Sequence, residues 1–337
     1  MSRSIAIDLG AHRTRVYDAE GRSLYDQDSV VAVDFHTNQI AAVGHAAKSA
    51  LVDNAGRLRL ERPFRRGIAS SLDSLESYVD SVLDSVGIRS LGRVRLVLSY
   101  PIGLSNLERD VISSVLDELG AREVVLVGST LAALLGCDVD PSTPEGVMIY
   151  CAGASQTEAS IFSLGEMVSY AAGEGAGDLL AERVVRLLSD RFGVVVTQEV
   201  AEEIVANLVD LGSEHKTRQA NVWGRDAKSG AAVQARISEL EVTDCLQPVL
   251  DSLYRVATNT LSNCQAELVS DVASRGVFIV GGCVNMSGFG QQFVKHCNVN
   301  VTIPKSPELA VARGLVKILR GDSRVTYRGF LEMNSTL

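Results

Sequence analysis

The sequence has no apolar run near the roughly 20 residues that a membrane-spanning helix needs, so a transmembrane protein is not expected. No signal peptide is expected either, since Met1-Ser2-Arg3-Ser4 runs straight into a strand pattern. None of its six cysteines (137, 151, 245, 264, 283, 297) forms a C-x-x-C pair or has a histidine at ligand spacing. That dispersal excludes a disulfide framework or a zinc ribbon and reads as reduced, mostly buried thiols of a cytoplasmic protein. Positive charge is scarce as well. The formal net charge is −9, which argues against non-specific nucleic-acid binding. Arginine outnumbers lysine, as in proteins of GC-rich bacterial genomes.

What is present is a chain of 337 residues with 46% hydrophobic side chains spread evenly, enough for two ordinary domains with their own cores. Residues 4–33 alternate apolar and polar and turn at Glu20-Gly21-Arg22, the signal of a three-stranded meander. A short strand at 39–43 and a short helix at 46–51 follow. Helical spacing of Leu72, Leu75, Val79, Val82, Leu83 and Val86 stops at Gly87. The mostly apolar run at 94–98, interrupted only by Arg95, reads as a buried parallel strand ending at Pro101. A helix at 107–119, a strand at 123–127 and a helix from 130 complete an α/β pattern with a mostly parallel sheet.

The stretch 141–146, Pro-Ser-Thr-Pro-Glu-Gly, reads as a linker, after which the plan restarts. A hairpin is expected at 147–171, helices at 179–192 and 199–211, and a hairpin at 220–238 turning at 228–230. A single long helix at 243–270, a strand at 277–280 and a closing helix at 307–319 follow.

The two halves share one local outline. Asp8-Leu9-Gly10-Ala11-His12-Arg13-Thr14 and Cys151-Ala152-Gly153-Ala154-Ser155-Gln156-Thr157 are each a strand end, a turn of small residues and a new strand. Cys151 stands where the first copy has Asp8, and a carboxylate is expected there. Two such hairpins suggest a duplicated fold that grips a phosphate tail from both sides.

These segments resemble the actin-like ATPases and, within them, the MreB family of bacterial rod-shape proteins. The first hairpin is similar to the family's D-L-G-T-A-N-T loop. Further matches are Ser29-Val30-Val31-Ala32-Val33, Ala42-Val43-Gly44-His45-Ala46-Ala47-Lys48, Tyr100-Pro101-Ile102-Gly103 with Glu108-Arg109, Gly120-Ala121-Arg122-Glu123-Val124 and Trp223-Gly224-Arg225-Asp226 with Ser229-Gly230. Ile279-Val280-Gly281-Gly282 is similar to the adenosine motif, and Pro307-Glu308-Leu309-Ala310-Val311-Ala312-Arg313-Gly314 to the second connecting helix.

The resemblance implies an actin-like ATPase fold of two related ribonuclease-H-like domains with a nucleotide cleft between them. Domain I would span 1–145 plus 320–337, with a small subdomain at about 33–66. Domain II would span 146–319, with a small subdomain at about 180–270. It implies ATP or ADP with Mg²⁺ as cofactor, held around Asp8, Gly10, Ala11, His12, Arg13, Gly153, Ala154, Ser155, Gln156, Thr157, Gly177, Asp178, Glu202, Gly281, Gly282 and Cys283. Asp8 would act on the metal indirectly.

The departures from the family fall on chemistry. Its second phosphate loop, D-I-G-G-G-T-T-E, is here Cys151-Ala152-Gly153-Ala154-Ser155-Gln156-Thr157-Glu158. Its I-E-E-P, source of a water-positioning glutamate, is Val127-Gly128-Ser129-Thr130. Its A-E-E-I-K is Ala201-Glu202-Glu203-Ile204-Val205, without the lysine, and a third glycine is Cys283. A thiol is a poor donor for hard Mg²⁺, and Gly128 and Ser129 offer no base for water. Hydrolysis is therefore expected to be absent or vestigial, with Asp178 or Glu158 as relocated acids in the alternative of an active ATPase. Nucleotide binding stays open, and so do two readings of Asp8, metal-side acid or turn-former. His12 and Arg13 add bulk to the first loop, although Arg13 could meet a phosphate charge. Cys151 reads as a small, semi-buried substitute in preference to a reactive thiol.

The resemblance also implies head-to-tail filaments, of this chain alone or with another MreB-type filament, at the inner face of the membrane. Cell-wall synthesis and division proteins would be partners, and nucleic acid would not. The loop 87–93 sits where the family's hydrophobic membrane loop would be, with Ile88 and Leu91 flanked by Arg89 and Arg93. An ordinary helix-to-strand turn is the competing reading. A monomeric adaptor of the cell-wall machinery is the non-filament alternative. A sugar or carboxylate kinase fits less well, for want of a catalytic acid and substrate loops.

Overall fold

A computed structural model describes residues 3–54, 56–65, 68–69, 72–121, 123–321 and 332–334. The chain divides into two compact units: the described residues of Met1–Pro144, Phe162–Glu166 and Leu309–Leu337 in one, Glu145–Ile161 and Met167–Glu308 in the other. The expected C-terminal segment at 320–337 lies largely, and Arg122 wholly, outside the described residues.

The first unit opens with the anticipated meander, β1 (Arg3–Leu9), β2 (Arg13–Asp18) and β3 (Ser23–Asp28), each strand antiparallel to the next. Strands β4 (Val31–Asp34), β5 (Ile40–Val43) and β6 (Leu58–Glu61) form a small sheet, on which α1 (Gly44–Asp53) packs. The short β7 (Phe64–Arg65) and β8 (Ile68–Ala69) pair with each other and precede α2 (Leu72–Ser85). Then come β9 (Val94–Tyr100), α3 (Asn106–Glu118), β10 (Glu123–Gly128) and α4 (Ser129–Gly136). Strand β9 lies parallel to both β1 and β10, in keeping with a strand that is apolar at most of its positions.

The second unit repeats this plan. Three consecutive strands, β11 (Val147–Ala152), β12 (Gln156–Ser163) and β13 (Glu166–Glu174), lie side by side. Helix α5 (Gly177–Phe192), strand β14 (Val194–Val195), helix α6 (Gln198–Leu208), and strands β15 (Gln219–Asp226) and β16 (Ala232–Ser238) follow. Helices α7 (Glu239–Ser262) and α8 (Ala266–Arg275), strand β17 (Val277–Val280), helix α9 (Phe289–Cys297) and strand β18 (Val301–Thr302) complete it. The main sheet runs β13-β12-β11-β17-β18, with β17 parallel to β11 and to β18. Its core is aromatic: the rings of Tyr150 and Phe293 meet edge-on at 4.8 Å, and Tyr150 Oη donates to Leu253 O at 3.1 Å. At the start of α7 the buried Glu239, 1% exposed, accepts from both ends of the Arg218 fork at 3.1 Å and from Asp210 N at 3.0 Å. The Arg218 contact outweighs burial and holds the Glu239 carboxyl below the ordinary range.

The chain then returns to the first unit as α10 (Ala310–Arg320), and β19 (Glu332–Asn334) adds antiparallel to β10. Helix α10 packs on α4, β1, β2 and β9. Two glycines make the α4–α10 crossing close: a Cβ on Gly136 would lie 1.8 Å from Ala310 O, and one on Gly314 1.7 Å from Ala132 O.

Several expectations need correction. The long helix at 243–270 is two helices, α7 and α8, because Asn263 to Gln265 leave helical geometry and Asn263 N bonds back to Asn259 O. Helix α6 stops at Leu208, and α9 was not anticipated. The closing helix, expected in the second domain, packs in the first unit. The membrane loop is also overturned. Ile88 and Leu91 are only 4% and 1% exposed and belong to the first unit's core, where each stabilises by about 1.5–3 kcal/mol. Ile88 N donates to Leu83 O and Val94 N to Leu91 O, so the loop is an ordinary helix-to-strand turn.

Candidate functional site

In each unit a strand ends in the same three-residue turn: Gly10-Ala11-His12 between β1 and β2, and Gly153-Ala154-Ser155 between β11 and β12. Asp8 and Cys151 therefore occupy equivalent places, the penultimate residue of the incoming strand.

The first turn is anchored by a buried hydroxyl chain. Tyr78 Oη on α2 donates to Thr14 Oγ1 at 2.8 Å, Thr14 Oγ1 donates to Ser29 Oγ at 2.8 Å, and Ser29 Oγ donates to Gly10 O at 2.6 Å. Ser29 N adds a bond to His12 O at 2.9 Å. His12 Nδ1 accepts from Arg62 Nη1 at 2.8 Å. Arg13, a candidate phosphate contact, is committed elsewhere: its Nε pairs with Asp26 Oδ1, its Nη2 donates to Asp26 O at 3.0 Å, and Asp28 lies 3.4 Å away. The register sets this, pairing Arg13 with Asp28.

Asp8 carries the decisive contact. The β1–β2 register puts Arg15 opposite it, and Arg15 Nη1 lies 3.5 Å from Asp8 Oδ2. Ser99 Oγ on β9 donates to the other carboxylate oxygen at 3.4 Å. Asp8 and Arg15 are 14% and 10% exposed. Burial pushes the Asp8 carboxyl above its ordinary range, while Arg15 and Ser99 pull it back. Arg15 Nε also reaches Asp26 Oδ1, 3.4 Å away. Arg15, Ser99 and Tyr78 carry no motif of their own and join the site only through strand register and packing.

The second turn is closed by Gly153 N donating to Gln156 O at 3.0 Å. It is stitched to the start of α5 by Gly177 N to Gly153 O at 3.3 Å and Asp178 N to Ala154 O at 2.9 Å. Ser155 Oγ donates to the Asp178 carboxylate, and Thr157 Oγ1 to Gly175 O at 3.3 Å. Cys283 Sγ donates to Gly153 O at 3.0 Å, and burial, helped by the Asp178 charge, pushes its thiol up to about 12. It is an inert packing thiol. Gly281, at φ +102°, passes so close to the strand that a Cβ would lie 2.2 Å from Ala152 O. Gly282 follows it into a short 3₁₀ turn. Thus Cys151, Gly153 to Thr157, Gly177, Asp178 and Gly281 to Cys283 converge on one end of the second sheet. Glu202 sits half-buried on α6.

Gly128 and Ser129 form the β10–α4 junction in the first unit. A Cβ on Gly128 would meet Ile102 Cγ2 at 3.1 Å, and Ser129 begins a helix whose remaining residues are buried. From 126 to 136 the segment holds no acid.

The donor set decides which groups fit. Amides of Gly10, Ala11, Ala154 and Ser155 donate to no acceptor among the described residues, and such turn amides suit an anionic phosphate tail. Mg²⁺ fits poorly. It needs hard oxygen ligands, yet one strand end offers a thiol and the other a carboxylate already held by a guanidinium. Among the described residues no group of three or more His, Cys, Asp or Glu side chains is placed to hold a metal ion. Nor is any described helix long and apolar enough to cross a membrane.

Comparison with known proteins places this geometry. The model of the MreB/Mbl protein family matches residues 2–326. The cell shape-determining protein MreB of Escherichia coli (strain K12) is 26% identical over 324 residues, covering 94% of this chain and 93% of that protein. The cell shape-determining protein Mbl of Bacillus subtilis (strain 168) is 23% identical over 314 residues, covering 93% and 94%. Among solved structures, MreB5 of Spiroplasma citri bound to AMPPNP superposes with a TM-score of 0.87 at 23% identity, covering 96% of this chain and 97% of that one. A MamK double helical filament gives 0.75 at 17% identity, covering 94% and 98%. The fold is that of the actin-like ATPases, and the chain belongs to the MreB/Mbl family of cell shape-determining cytoskeletal proteins.

Proposed function

We propose that this chain is a cytoskeletal scaffold that forms or joins actin-like filaments at the inner face of the cell membrane. There it organises cell-wall synthesis and shape, with ATP hydrolysis weak or lost. One observation carries the reading. The Arg15 guanidinium already holds Asp8, while the equivalent strand end in the second unit presents the Cys151 thiol. Gly128 and Ser129 add no side chain able to orient an attacking water. Turnover needs these groups, whereas a filament needs only the body of the fold, which remains whole.

ATP or ADP binding without turnover is part of the proposal. The amides of both turns suit a phosphate tail, and the Spiroplasma citri relative was crystallised with AMPPNP and with ADP. Head-to-tail assembly is supported by the likeness to the MamK filament chain, since repetition of a heterologous contact extends without closing. Proteins of cell-wall synthesis and division are the proposed partners. An active ATPase with relocated acids is less well supported. Asp178 accepts the Ser155 hydroxyl, and Glu158 is buried within β12.

The test combines calorimetry, phosphate release and pelleting on the purified chain titrated with ATP and MgCl₂. The expected result is sedimentation with phosphate release no higher than in Asp8→Ala. Metal-dependent turnover above that control would sink the reading. Failure to sediment with any nucleotide or lipid would replace the filament with a monomeric adaptor.

A further inference from the structure

The turn from α2 to β9 buries Ile88 and Leu91, and this leaves Arg89 and Arg93 exposed. Those two arginines, with Arg3 and Arg95 from β1 and β9, line a cavity of about 670 Å³. The sheet sets the grouping. Arg3 is registered with Val94 and Ser4 with Arg95 across the parallel β1–β9 pair, while Glu123 of β10 sits beside Arg95.

Two of the four cations are fixed by protein partners. Arg3 donates to the carbonyls of Val86 and Gly87, at 3.0 and 3.3 Å, beyond the end of α2. Arg95 Nε lies 3.1 Å from Glu123 Oε1. Arg89 and Arg93 make no ion pair among the described residues. Four arginines against one glutamate give 4 − 1, a charge of +3, around one concavity on a chain whose net charge is −9. Clustered guanidinium groups repel unless an anion joins them, and their planar forks match phosphate oxygens two at a time. Ser90 Oγ accepts from Gly92 N at 3.3 Å, which leaves the hydroxyl proton for a further acceptor. The volume lies within the usual range of small-ligand sites, about 300–1,000 Å³.

We infer that this cavity binds a phosphate-bearing anion, with the exposed Arg89 and Arg93 as its clamps and Arg3 and Arg95, held by protein partners, as its wall. The site is separate from both phosphate-loop turns and goes beyond the proposed function, because it needs neither nucleotide nor filament. Its chemistry is shared by a phospholipid headgroup and a free diphosphate. The contact it offers a membrane is electrostatic, at the surface, in place of the apolar insertion the sequence suggested.

The experiment uses the full chain at low salt with two probes. One is pyrophosphate, followed by calorimetry. The other is vesicles of phosphatidylglycerol in phosphatidylcholine, followed by co-sedimentation against pure phosphatidylcholine. At least one probe is expected to bind: vesicles alone identify a headgroup, and pyrophosphate alone a free anion. Arg89→Gln with Arg93→Gln is expected to weaken that binding about 30-fold, at about 1 kcal/mol per cation near an anionic surface. Arg89→Lys with Arg93→Lys keeps the charge but loses the fork, so its binding should fall between that of the parent and that of the Gln variant. Both positions are exposed, so thermal unfolding of the variants should match the parent. Binding of neither probe overturns the inference, and so does a Gln variant that binds as the parent does. Neither result touches the nucleotide reading.

Discussion

Arg15 and Asp8 face each other across the β1–β2 ladder, the guanidinium 3.5 Å from the carboxylate and both side chains largely buried. The pair gives the first phosphate turn a built-in cation. Burial alone would push Asp8 toward its neutral form, and Arg15 and Ser99 oppose this.

Removing Arg15 should therefore cost more than removing the pair. Arg15→Met is expected to destabilise by about 3 kcal/mol at neutral pH, because it strips the compensating charge from a buried carboxylate. Asp8→Asn with Arg15→Met should recover much of that loss. The pH dependence has a definite sign. A carboxyl whose folded pKa is raised holds its proton more tightly when folded, so its contribution falls as pH rises from the unfolded value through the folded one. The Arg15→Met penalty should thus shrink at mildly acidic pH, when Asp8 protonates. Urea unfolding of the four members of the cycle at two pH values checks this, and additive single and double variants would disprove the coupling.

Glu239 behaves in the opposite sense. Its carboxyl is held below the ordinary range, first by the Arg218 hydrogen bonds, so its stabilisation is present above the unfolded Glu pKa and is lost as pH falls through the folded value. Glu239→Gln should cost about 2 kcal/mol at neutral pH and progressively less below about pH 4. Denaturant titrations across that range provide the measurement, and a penalty independent of pH would contradict the assignment.

Ile88→Ser and Leu91→Ser should act on stability and leave no membrane-specific signature. Truncating either buried side chain removes core contacts and places a hydroxyl among apolar atoms, at about 2–5 kcal/mol each. Thermal unfolding should show the loss in the absence of lipid. Unchanged melting with lost vesicle binding would restore the insertion reading.

Gly314→Ala tests the α4–α10 crossing. Its Cβ would lie 1.7 Å from Ala132 O, a backbone atom that cannot rotate away, so the helices must separate. A loss of about 3 kcal/mol is expected. Circular dichroism melts would register it, with Gly87→Ala as a contrast: there no atom crowds the added methyl, and only the positive φ is strained.

Much of the architecture was legible because its signals are local. Alternation marked β1 to β3, the apolar run at 94–98 marked β9, and repetition of strand, small turn and strand marked the two phosphate turns. Other local signals went unread. Ser238 and Glu241 form a capping box that starts α7 four residues before the expected boundary. Helix α9 hides in Phe289-Gly290-Gln291-Gln292-Phe293, where an interior glycine weakens the helical pattern. Arg15 was within reach: a turn that leaves the four residues Gly10 to Arg13 between the paired Leu9 and Thr14 also pairs Asp8 with Arg15. Ser99 and Tyr78 were not, since they reach the turn through packing of residues some 60 to 90 positions away. The fate of Ile88 and Leu91 was likewise settled by tertiary burial, which sequence spacing alone does not distinguish from membrane contact.

The placement of α10 has a consequence for biogenesis. Helix α10 covers β1, β2 and β9 of the first unit, yet it is made only after the entire second unit has been translated. The N-terminal sheet must therefore wait, its apolar face open, through synthesis of more than half the chain. Contacts so distant in sequence close slowly and leave a nascent chain prone to wrong partners. The second unit, continuous but for the β12–β13 turn, has no such delay and should mature first. In a crowded cell, the supply of assembly-competent subunits would then be timed by the ribosome reaching residue 320.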